Sequence, residues 1–307
     1  MKVLITGGNG FIGSHLAERL IKGGDGVSLL DVKFNGNTEG IVCEKITADV
    51  RDYAAVKRAT YGKDAIFHFA AVSRVAWGQE RPRECIETNS VGTANVLEAA
   101  RETGNRAFVF LGSSREVYGE PESAAVKETH PKNPISIYGI SKLSGEKLAA
   151  SYRKYFGAKI IIFRFSNVYG SERDLPERVI PSFIGNAMKN APMNVNGGSQ
   201  VLDFTFIGDT LNGIVAAYER REKIEGEDIH FVTGRGTSVS ELAKIIREIS
   251  NSSSRIEVKK GKAFDVMKFV GDGSKAAALL GWRPLVNLEE GLQKTIAAYS
   301  GARTADF

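Results

Sequence analysis

The stretch KVLITGGNGFIG, residues 2–13, decides the fold class of this chain of 307 residues. It opens with Lys2–Thr6, an apolar and β-branched run that is typical of a buried strand. Apolar residues then recur at helical spacing over Ser14–Lys22. In between, the glycines of the turn Gly7–Gly13 allow positive φ and a close approach of the backbone to a ligand. The stretch therefore predicts a strand, a tight glycine-rich turn and a helix.

The alternation of strand and helix continues over the first half of the chain. Long helical patterns cover residues 83–103 and Ile137–Tyr155. Short apolar runs predict further strands at Gly26–Asp31, Val42–Thr47, Asp64–Phe69, Ala107–Leu111 and Lys159–Phe165. Such alternation predicts an α/β protein of the Rossmann type, in which helices cover both faces of a doubly wound parallel sheet.

The pattern becomes irregular in the second half of the chain. Prolines interrupt short helices, and the strand candidates Phe204–Phe206 and Asp228–Val232 are unevenly spaced. A helix over Val239–Ile249 starts with a capping box at the serine that precedes it. We therefore expect a larger domain over residues 1–168 and a smaller C-terminal α/β lobe for the substrate over residues 169–307, with some segments returning to the sheet.

Composition and charge exclude several classes of protein. The net charge of +5 comes from scattered Lys and Arg, so a nucleic-acid-binding stripe is not expected. No apolar run approaches the ~20 residues of a membrane span, and no signal peptide is recognisable. Cys43 and Cys85 stand apart from any Cys or His cluster, so we expect no metal site, no disulfide framework and a cytoplasmic location.

The glycine turn fits a dinucleotide. Its spacing is G-x-x-G-x-x-G at a strand-to-helix junction, where free amides and the helix dipole attract a pyrophosphate. A glycine triplet by itself also suits any tight turn between a strand and a helix. The residues of this segment that we predict to bind the cofactor are Gly7, Gly10, Phe11, Ile12 and Gly13.

Two acidic residues narrow the choice of dinucleotide. Asp31 ends the next strand, where a carboxylate accepts hydrogen bonds from the adenosine ribose hydroxyls. A carboxylate there repels a 2′-phosphate, so NAD is favoured over NADP, although Lys33 lies close enough to temper the preference. Asp49 follows the third strand and is placed either to meet the adenine amino group or to cap the following helix.

Tyr138 and Lys142 lie four residues apart, so a phenol and an ammonium share one face of a predicted helix. A tyrosine has a pKa near 10, and acting as a base at neutral pH requires a shift of ~3 units, or roughly 4 kcal/mol. One cation at ~5 Å and an effective dielectric constant of ~20 supplies about 3 kcal/mol. An oxidised nicotinamide adds a second positive charge. We interpret the pair as catalytic; the alternative is an exposed pair on an amphipathic helix.

Ser114 is the third catalytic candidate, because it follows a predicted buried strand at the edge of the sheet where ligands bind. Its hydroxyl is placed to bridge the substrate oxygen and the tyrosine during proton transfer. Ser113 is the competing residue. Either serine is also explained as a group that satisfies backbone atoms at the end of the strand.

Motifs along nearly the whole chain resemble the extended short-chain dehydrogenases/reductases, in their nucleotide-sugar epimerase/dehydratase branch. They include TGGNGFIG at 6–13, HFAA at 68–71, TNSVGT at 88–93, SREVYG at 114–119, Tyr138 with Lys142, RFSNVYG at 164–170, DFTFIGD at 203–209 and LGWRP at 280–284. The resemblance implies bound NAD, a nucleotide-sugar substrate, and a homodimer formed through the helices at 83–103 and 137–155. Within this branch, the sequence resembles the UDP-glucose 4-epimerases in particular.

The resemblance also implies roles for further residues. Those expected to contact NAD are Val50, Phe69, Ala70, Ala71, Asn89, Ser113, Tyr138, Lys142 and Phe165. Those expected to contact the substrate are Ser73, Ser114, Tyr138, Asn167, Arg178, Val179 and Lys262.

One departure from the family concerns the substrate phosphates. The family commonly has an Arg where this chain has Leu202, so one phosphate-binding group is missing. Lys262 aligns loosely with another phosphate-binding Arg, but an ammonium is a point charge rather than a bidentate fork. Arg173 and Arg178 either compensate or are solvated loop charges.

A second departure separates the possible reactions. Glucose dehydratases of this family typically carry Thr-Asp-Glu where this chain has Ser114-Arg115-Glu116. Arg115 cannot protonate a leaving hydroxyl, because a guanidinium stays protonated. We therefore expect a 4-epimerase that acts on UDP-glucose and UDP-galactose through a transient 4-keto sugar. Glu116 keeps a decarboxylase or another dehydratase open as alternatives, or it only holds the loop through backbone hydrogen bonds. A UDP-glucuronate 4-epimerase is a separate alternative.

Overall fold

The computed structural model describes residues 1–104, 106–262 and 264–301. The strands are β1 (Lys2–Thr6), β2 (Gly26–Asp31), β3 (Glu44–Thr47), β4 (Ala65–His68), β5 (Phe108–Ser114), β6 (Ile160–Phe165), β7 (Asn167–Tyr169), β8 (Met193–Asn196), β9 (Val201–Phe206), β10 (Asp228–Phe231), β11 (Gly236–Ser238), β12 (Ile256–Lys259) and β13 (Lys268–Phe269). The helices are α1 (Phe11–Lys22), α2 (Tyr53–Thr60), α3 (Val75–Glu80), α4 (Pro82–Ile86), α5 (Gly92–Glu102), α6 (Ile137–Phe156), α7 (Val179–Met188), α8 (Ile207–Glu219), α9 (Val239–Ile249), α10 (Ser274–Leu280) and α11 (Leu288–Tyr299).

The predicted Rossmann-type sheet is confirmed. Among the described residues, the main sheet has seven strands in the order β10-β6-β5-β4-β1-β2-β3. Neighbouring strands from β3 to β6 pair in parallel. The strand order reverses between β1 and β4, which is the position at which open α/β sheets bind their ligands.

Both faces of this sheet are covered, as its uninterrupted apolar strands predict. On one face, Leu4, Ile66 and Val109 belong to a buried cluster with residues of α2, α5 and α6. On the other face, Phe67 and Phe110 stack with ring centroids 4.5 Å apart. These two rings contact Tyr218 of α8 edge-on.

The predicted helix over residues 83–103 is found over residues 82–102, but it contains a turn of different geometry. Helices α4 and α5 are separated by a π-helical turn at Glu87–Val91. Residues 87–90 are all polar, and the sequence pattern does not distinguish this stretch from a regular helical turn. π-Helical turns are frequent at functional sites, and this one contains Asn89.

The chain forms two compact units. The first contains Met1–Gly119, Pro131–Phe165 and Val215–Ile229. The second contains Glu120–His130, Ser166–Ile214 and the described residues from His230 onward. The predicted strand at Asp228–Val232 is β10, and it joins the main sheet from far along the sequence.

The second unit is built on smaller sheets. Strand β9 pairs with β11, β13 and β7, and β8 pairs with β12. The predicted cap of α9 is confirmed, because the Ser238 hydroxyl oxygen accepts a hydrogen bond from the Glu241 N–H at 3.1 Å. No described helix combines the length and the apolar character needed to cross a membrane.

Candidate active site

The glycine turn between β1 and α1 has the shape that a dinucleotide requires. Gly7 has φ of +70°, and a Cβ on it would lie 2.6 Å from the Ala70 nitrogen. A Cβ on Gly13 would overlap the carbonyl oxygen of Gly7. Gly10 is the N-cap of α1 and offers no side chain to its first amides, which stay available to an anion. The turn therefore fits a pyrophosphate.

Asp31 lies at the mouth of this turn. Its carboxylate accepts hydrogen bonds from the N–H groups of Asn9 at 2.9 Å and Val32 at 2.8 Å. Burial raises the pKa of Asp31, while these hydrogen bonds and the charge of Lys33 act in the opposite direction. The residue is thus close to the site predicted for the adenosine ribose.

Asp49 is engaged by a neighbour. The Arg51 guanidinium forms an ion pair with its carboxylate at 2.6 Å and holds the pKa of Asp49 below its usual range. The alternative that Asp49 caps the following helix is wrong, because Asp52 accepts the hydrogen bond from the Ala55 N–H at 3.1 Å. For Asp49 to contact adenine, its carboxylate therefore has to accept a hydrogen bond from the adenine amino group beside the Arg51 guanidinium, or the ion pair has to break.

Tyr138 and Lys142 are brought together at the start of α6, whose N-cap Ser136 accepts a hydrogen bond from Gly139 N–H at 3.0 Å. The Lys142 Nζ lies 5.9 Å from the Tyr138 ring centroid and donates to the Gly112 carbonyl at 2.9 Å. Burial of the ammonium group lowers the pKa of Lys142 to about 8. Tyr138 is buried, so the alternative of an exposed surface pair is wrong.

The two serines at the end of β5 face different partners. The Ser113 hydroxyl donates its proton to the Glu146 carboxylate at 2.6 Å, so towards a cofactor or a substrate its side chain can only accept a hydrogen bond. The Ser114 hydroxyl oxygen accepts from the Glu116 N–H at 3.2 Å. Within the described residues this is its only hydrogen bond, and its own proton stays available. The arrangement favours Ser114 over Ser113 as the proton bridge.

Glu116 and Arg115 form a buried ion pair beside Ser114. The Arg115 Nη2 lies 2.8 Å from the Glu116 Oε1, and both side chains are largely buried. Among the described residues, the other carboxylate oxygen of Glu116 has no hydrogen-bond partner. The loop is held by the backbone N–H of Glu116, which leaves its carboxylate uncommitted on one side.

Several predicted cofactor residues meet at the carboxyl edge of the sheet. Phe69 donates its N–H to the Thr6 carbonyl at 3.0 Å, and Ala70 packs against Gly7. The rings of Phe69 and Phe165 meet edge-on with centroids 5.8 Å apart. Val50 packs against α5, where it leaves no room for a side chain at Gly92.

The side chain of Asn89 is engaged inside the protein. Its Oδ1 accepts from the Val72 N–H at 2.8 Å, and its Nδ2 donates to the Val72 carbonyl and to the Ser141 hydroxyl oxygen. Its predicted contact with the cofactor stays a prediction, as do that of Ala71 with the cofactor and that of Ser73 with the substrate.

Sequence reasoning misses a buried ionic cluster on the same helix as Tyr138 and Lys142. Arg164 is fully buried and donates two hydrogen bonds to the Glu146 carboxylate, each 2.8 Å long. It also bonds Asp228 at 2.6 Å and the Tyr118 hydroxyl at 3.0 Å. The available signal is the four-residue spacing of Glu146 from Lys142, which places both on one face of α6.

The remaining predicted residues lie in the second unit. Asn167 donates from its side chain to the Asp203 carbonyl at 3.1 Å, and Leu202 is buried on β9. Arg178 precedes α7, which begins at Val179, and its Nε lies 3.5 Å from an Asp174 carboxylate oxygen. Arg178 is therefore a partnered residue rather than a solvated charge.

Lys262 holds its loop through its backbone N–H, which donates to the Asp265 carboxylate at 3.2 Å. Its Nζ lies 5.6 Å from the Phe264 ring centroid. A cavity of about 600 Å³ in the same unit lies between α10, the end of β10 and residues 282–288, and it includes none of the predicted substrate residues.

Comparison with known proteins identifies the family. A profile for the "NAD dependent epimerase/dehydratase family" matches residues 3–234. The UDP-glucuronic acid decarboxylase 1 of Arabidopsis thaliana is 33% identical over 313 residues, which cover 97% of this chain and 70% of the relative.

Two solved structures are similar over their whole length. The UDP-glucose 4-epimerase of Thermotoga maritima with UDP-glucose is 30% identical, with a TM-score of 0.93 and coverage of 98% of this chain and 99% of that one. The UDP-glucuronic acid 4-epimerase of Bacillus cereus with UDP-glucuronic acid and NAD is 30% identical, with a TM-score of 0.91 and the same coverage. This chain, which carries the glycine turn and the Tyr138–Lys142 pair, belongs to the NAD-dependent epimerase/dehydratase family and uses NAD as its cofactor.

Proposed function

We propose that this protein is a nucleotide-sugar 4-epimerase that interconverts UDP-glucose and UDP-galactose through a transient 4-keto sugar. The observation that carries the proposal is the Lys142 ammonium 5.9 Å from the ring of the buried Tyr138, together with the available hydroxyl of Ser114 at the end of β5. The similarity to the Thermotoga maritima epimerase supports the choice of reaction.

Each member of this group has a separate task. The Lys142 ammonium, fixed on the Gly112 carbonyl, favours the ionised form of Tyr138 through its charge. The phenolate takes the proton of the sugar C4 hydroxyl, and Ser114 bridges the two oxygens. When bound, NAD would supply reversible hydride acceptance at C4, and rotation of the 4-keto sugar about its phosphate linkage would present its opposite face for the return. Tyr138 then returns its proton, so configuration changes without net oxidation.

Residues of the second unit are proposed to bind the substrate nucleotide. Asn167, Val179 and Lys262 are the proposed contacts to the diphosphate and nucleoside, together with Arg178. The ammonium of Lys262 and the guanidinium of Arg178 provide positive charge that Leu202 lacks.

Assembly and location are part of the proposal. Exposed apolar residues on α4, the π-helical turn and α6 support a homodimer through these helices, and they are Ile86, Val91 and Ile140. The two cysteines are unpaired, which supports a reducing, cytoplasmic location.

The test is to incubate the purified holoenzyme with UDP-glucose, UDP-galactose and the corresponding uronates and to separate the products. We expect interconversion of the neutral epimers with no change of mass. Tyr138→Phe is expected to lower turnover by several orders of magnitude while bound NAD is retained. Near-normal activity of this variant would refute the role of the phenol.

Decarboxylation of UDP-glucuronate is the second candidate. It is favoured by the Glu116 carboxylate oxygen that is buried without a hydrogen-bond partner among the described residues. The 33% identity with the Arabidopsis thaliana decarboxylase supports it as well. Loss of carbon dioxide from the uronate, seen as a change of product mass, would establish this reaction in place of epimerisation.

A further inference from the structure

A line of buried polar groups starts at the end of β1, immediately before the glycine turn. The Thr6 hydroxyl lies 2.7 Å from His68 Nδ1, and His68 Nε2 lies 3.0 Å from the Thr93 hydroxyl oxygen. The Ala70 N–H donates to the same Thr6 oxygen at 3.3 Å. Thr6, His68 and Thr93 are each at most 3% exposed, so water does not compete for these bonds.

The line continues into the first turn of α6. The Thr93 hydroxyl donates to the Asn89 carbonyl at 2.6 Å, and Asn89 Nδ2 donates to the Ser141 oxygen at 2.9 Å. The Ser141 hydroxyl in turn donates to the carbonyl of Tyr138 at 2.8 Å. The backbone of the proposed catalytic base is therefore tied to the residue that precedes the cofactor turn.

Counting protons fixes the direction of every bond in this line. The Asn89 carbonyl can only accept, so it uses the single proton of Thr93, and His68 Nε2 has to donate to Thr93. A neutral imidazole carries one N–H, so Nδ1 accepts the proton of Thr6. Thr6 then accepts from Ala70, which completes the line with each proton used once.

His68 has to stay uncharged for this pattern to exist, because an imidazolium would present a second N–H to Thr6. Its ring is fully buried, and burial together with the charge of Lys142 lowers the pKa of His68 to about 3. The imidazole of His68 is therefore uncharged at neutral pH.

We propose that His68, Thr93 and Ser141 are positioning residues, which hold Tyr138 in a fixed place relative to the cofactor turn through this line of uncharged hydrogen bonds. They touch neither substrate nor cofactor in this role. The effect on catalysis rests on the proposed epimerisation, whereas the line of hydrogen bonds itself does not.

The catalytic test compares Thr93→Val, which keeps the shape and removes the hydroxyl, with Thr93→Ser, which keeps the hydroxyl. Loss of a buried hydrogen bond of this kind is expected to lower kcat about ten-fold in Thr93→Val, with KM and bound NAD nearly unchanged. Because the serine hydroxyl keeps this hydrogen bond, kcat of Thr93→Ser is expected to lie within about three-fold of that of the original protein. The isotope effect with C4-deuterated sugar should change in Thr93→Val only.

Two results overturn the proposal. One is an equal kcat in Thr93→Val and Thr93→Ser. The other is a Thr93→Val variant that loses only thermal stability while the folded fraction keeps the original kcat and isotope effect. If Thr93→Val does not fold, Ser141→Ala is measured in its place, because it removes the last two bonds of the line and leaves Asn89 bonded to Val72.

A measurement independent of activity separates this proposal from the proposed function. Ring ¹⁵N NMR of the original holoenzyme should show His68 as the neutral form protonated at Nε2, without titration between about pH 5 and pH 8. His68→Asn assigns the signal; if that variant does not fold, replacing His15, His130 and His230 by Gln isolates it. A proton on Nδ1, or titration in this range, would contradict the line even in an active enzyme. A protein that shows the expected signals but no epimerisation would refute only the proposed function.

Discussion

Lys142 sets the upper pH limit of the proposed reaction. Its pKa, lowered to about 8 by burial, means that the ammonium is charged below this value and loses its charge as pH rises through it. We expect kcat/KM to fall above about pH 8 for this reason. Lys142→Arg should move the fall to higher pH, since a guanidinium keeps its proton. Superimposable pH–rate profiles of the two proteins would show that another group causes the fall.

Ser113 and Ser114 form a matched pair with opposite expectations. Ser113→Ala removes a buried hydrogen bond to Glu146, so we expect a loss of about 1 kcal/mol in unfolding free energy and a nearly unchanged kcat. Ser114→Ala should lower kcat by roughly 10²-fold or more and leave the denaturation midpoint almost unchanged. Urea unfolding and steady-state kinetics check both variants. A lower kcat in Ser113→Ala together with a lower stability in Ser114→Ala would make Ser113 the proton bridge.

A substitution of Glu116 that changes a single atom distinguishes the two candidate reactions. Glu116→Gln keeps an oxygen for the ion-pair partner Arg115 but removes the carboxylate that a decarboxylase or dehydratase needs. A 4-epimerase is expected to keep its kcat within about three-fold, because a neutral amide still accepts the hydrogen bond. Loss of all turnover in this variant, with the fold intact by circular dichroism, would favour the second candidate.

At the scale of elements, Arg164 on β6 ties helix α6 to the main sheet. It is fully buried and pairs with Glu146 on α6 in a two-bond arrangement. Arg164→Met leaves the Glu146 charge buried without its partner, so we expect unfolding free energy to drop by about 3–5 kcal/mol. The double variant with Glu146→Gln should recover much of this loss. Equal denaturation midpoints for the single and double variants would show that the unpaired charge of Glu146 does not cause the loss of stability.

The sequence predicts elements well where periodicity and turn chemistry agree. The strand, glycine turn and helix at 2–22 are found as expected, with α1 starting at Phe11 because Gly10 serves as its cap. The π-helical turn at Glu87–Val91 escapes prediction, because it coincides with side-chain bonds of Asn89 to Val72 and Ser141, which are distant in sequence. Long-range polar contacts of this kind leave no period in the sequence.

The same reasoning explains which site residues escape prediction. Tyr138, Lys142 and Asp31 stand in local motifs whose spacing predicts their neighbourhood. His68 and Arg164 occupy otherwise apolar strands, and only the neighbouring strands and helices give their polar atoms partners. Their burial is therefore a property of the folded chain rather than of any short segment.

For the whole molecule, bound NAD is expected to be a major source of stability. A ligand that binds only the folded state at 100 times its Kd adds about 2.7 kcal/mol. Removing NAD should therefore lower Tm, and adding it back should restore Tm. NADP should be less effective, since Asp31 repels its extra phosphate. Calorimetry measures this, and equal rescue by both dinucleotides would contradict the role given to Asp31.

Strand β10 has a consequence for how the protein is made. It stands at one end of the main sheet, and its Asp228 completes the ionic cluster around Arg164. A nascent chain that has left the ribosome only as far as residue 168 still lacks this strand and this carboxylate. The nucleotide-binding half is therefore incomplete at that stage, and its sheet gains its last strand only when β10 has been synthesised.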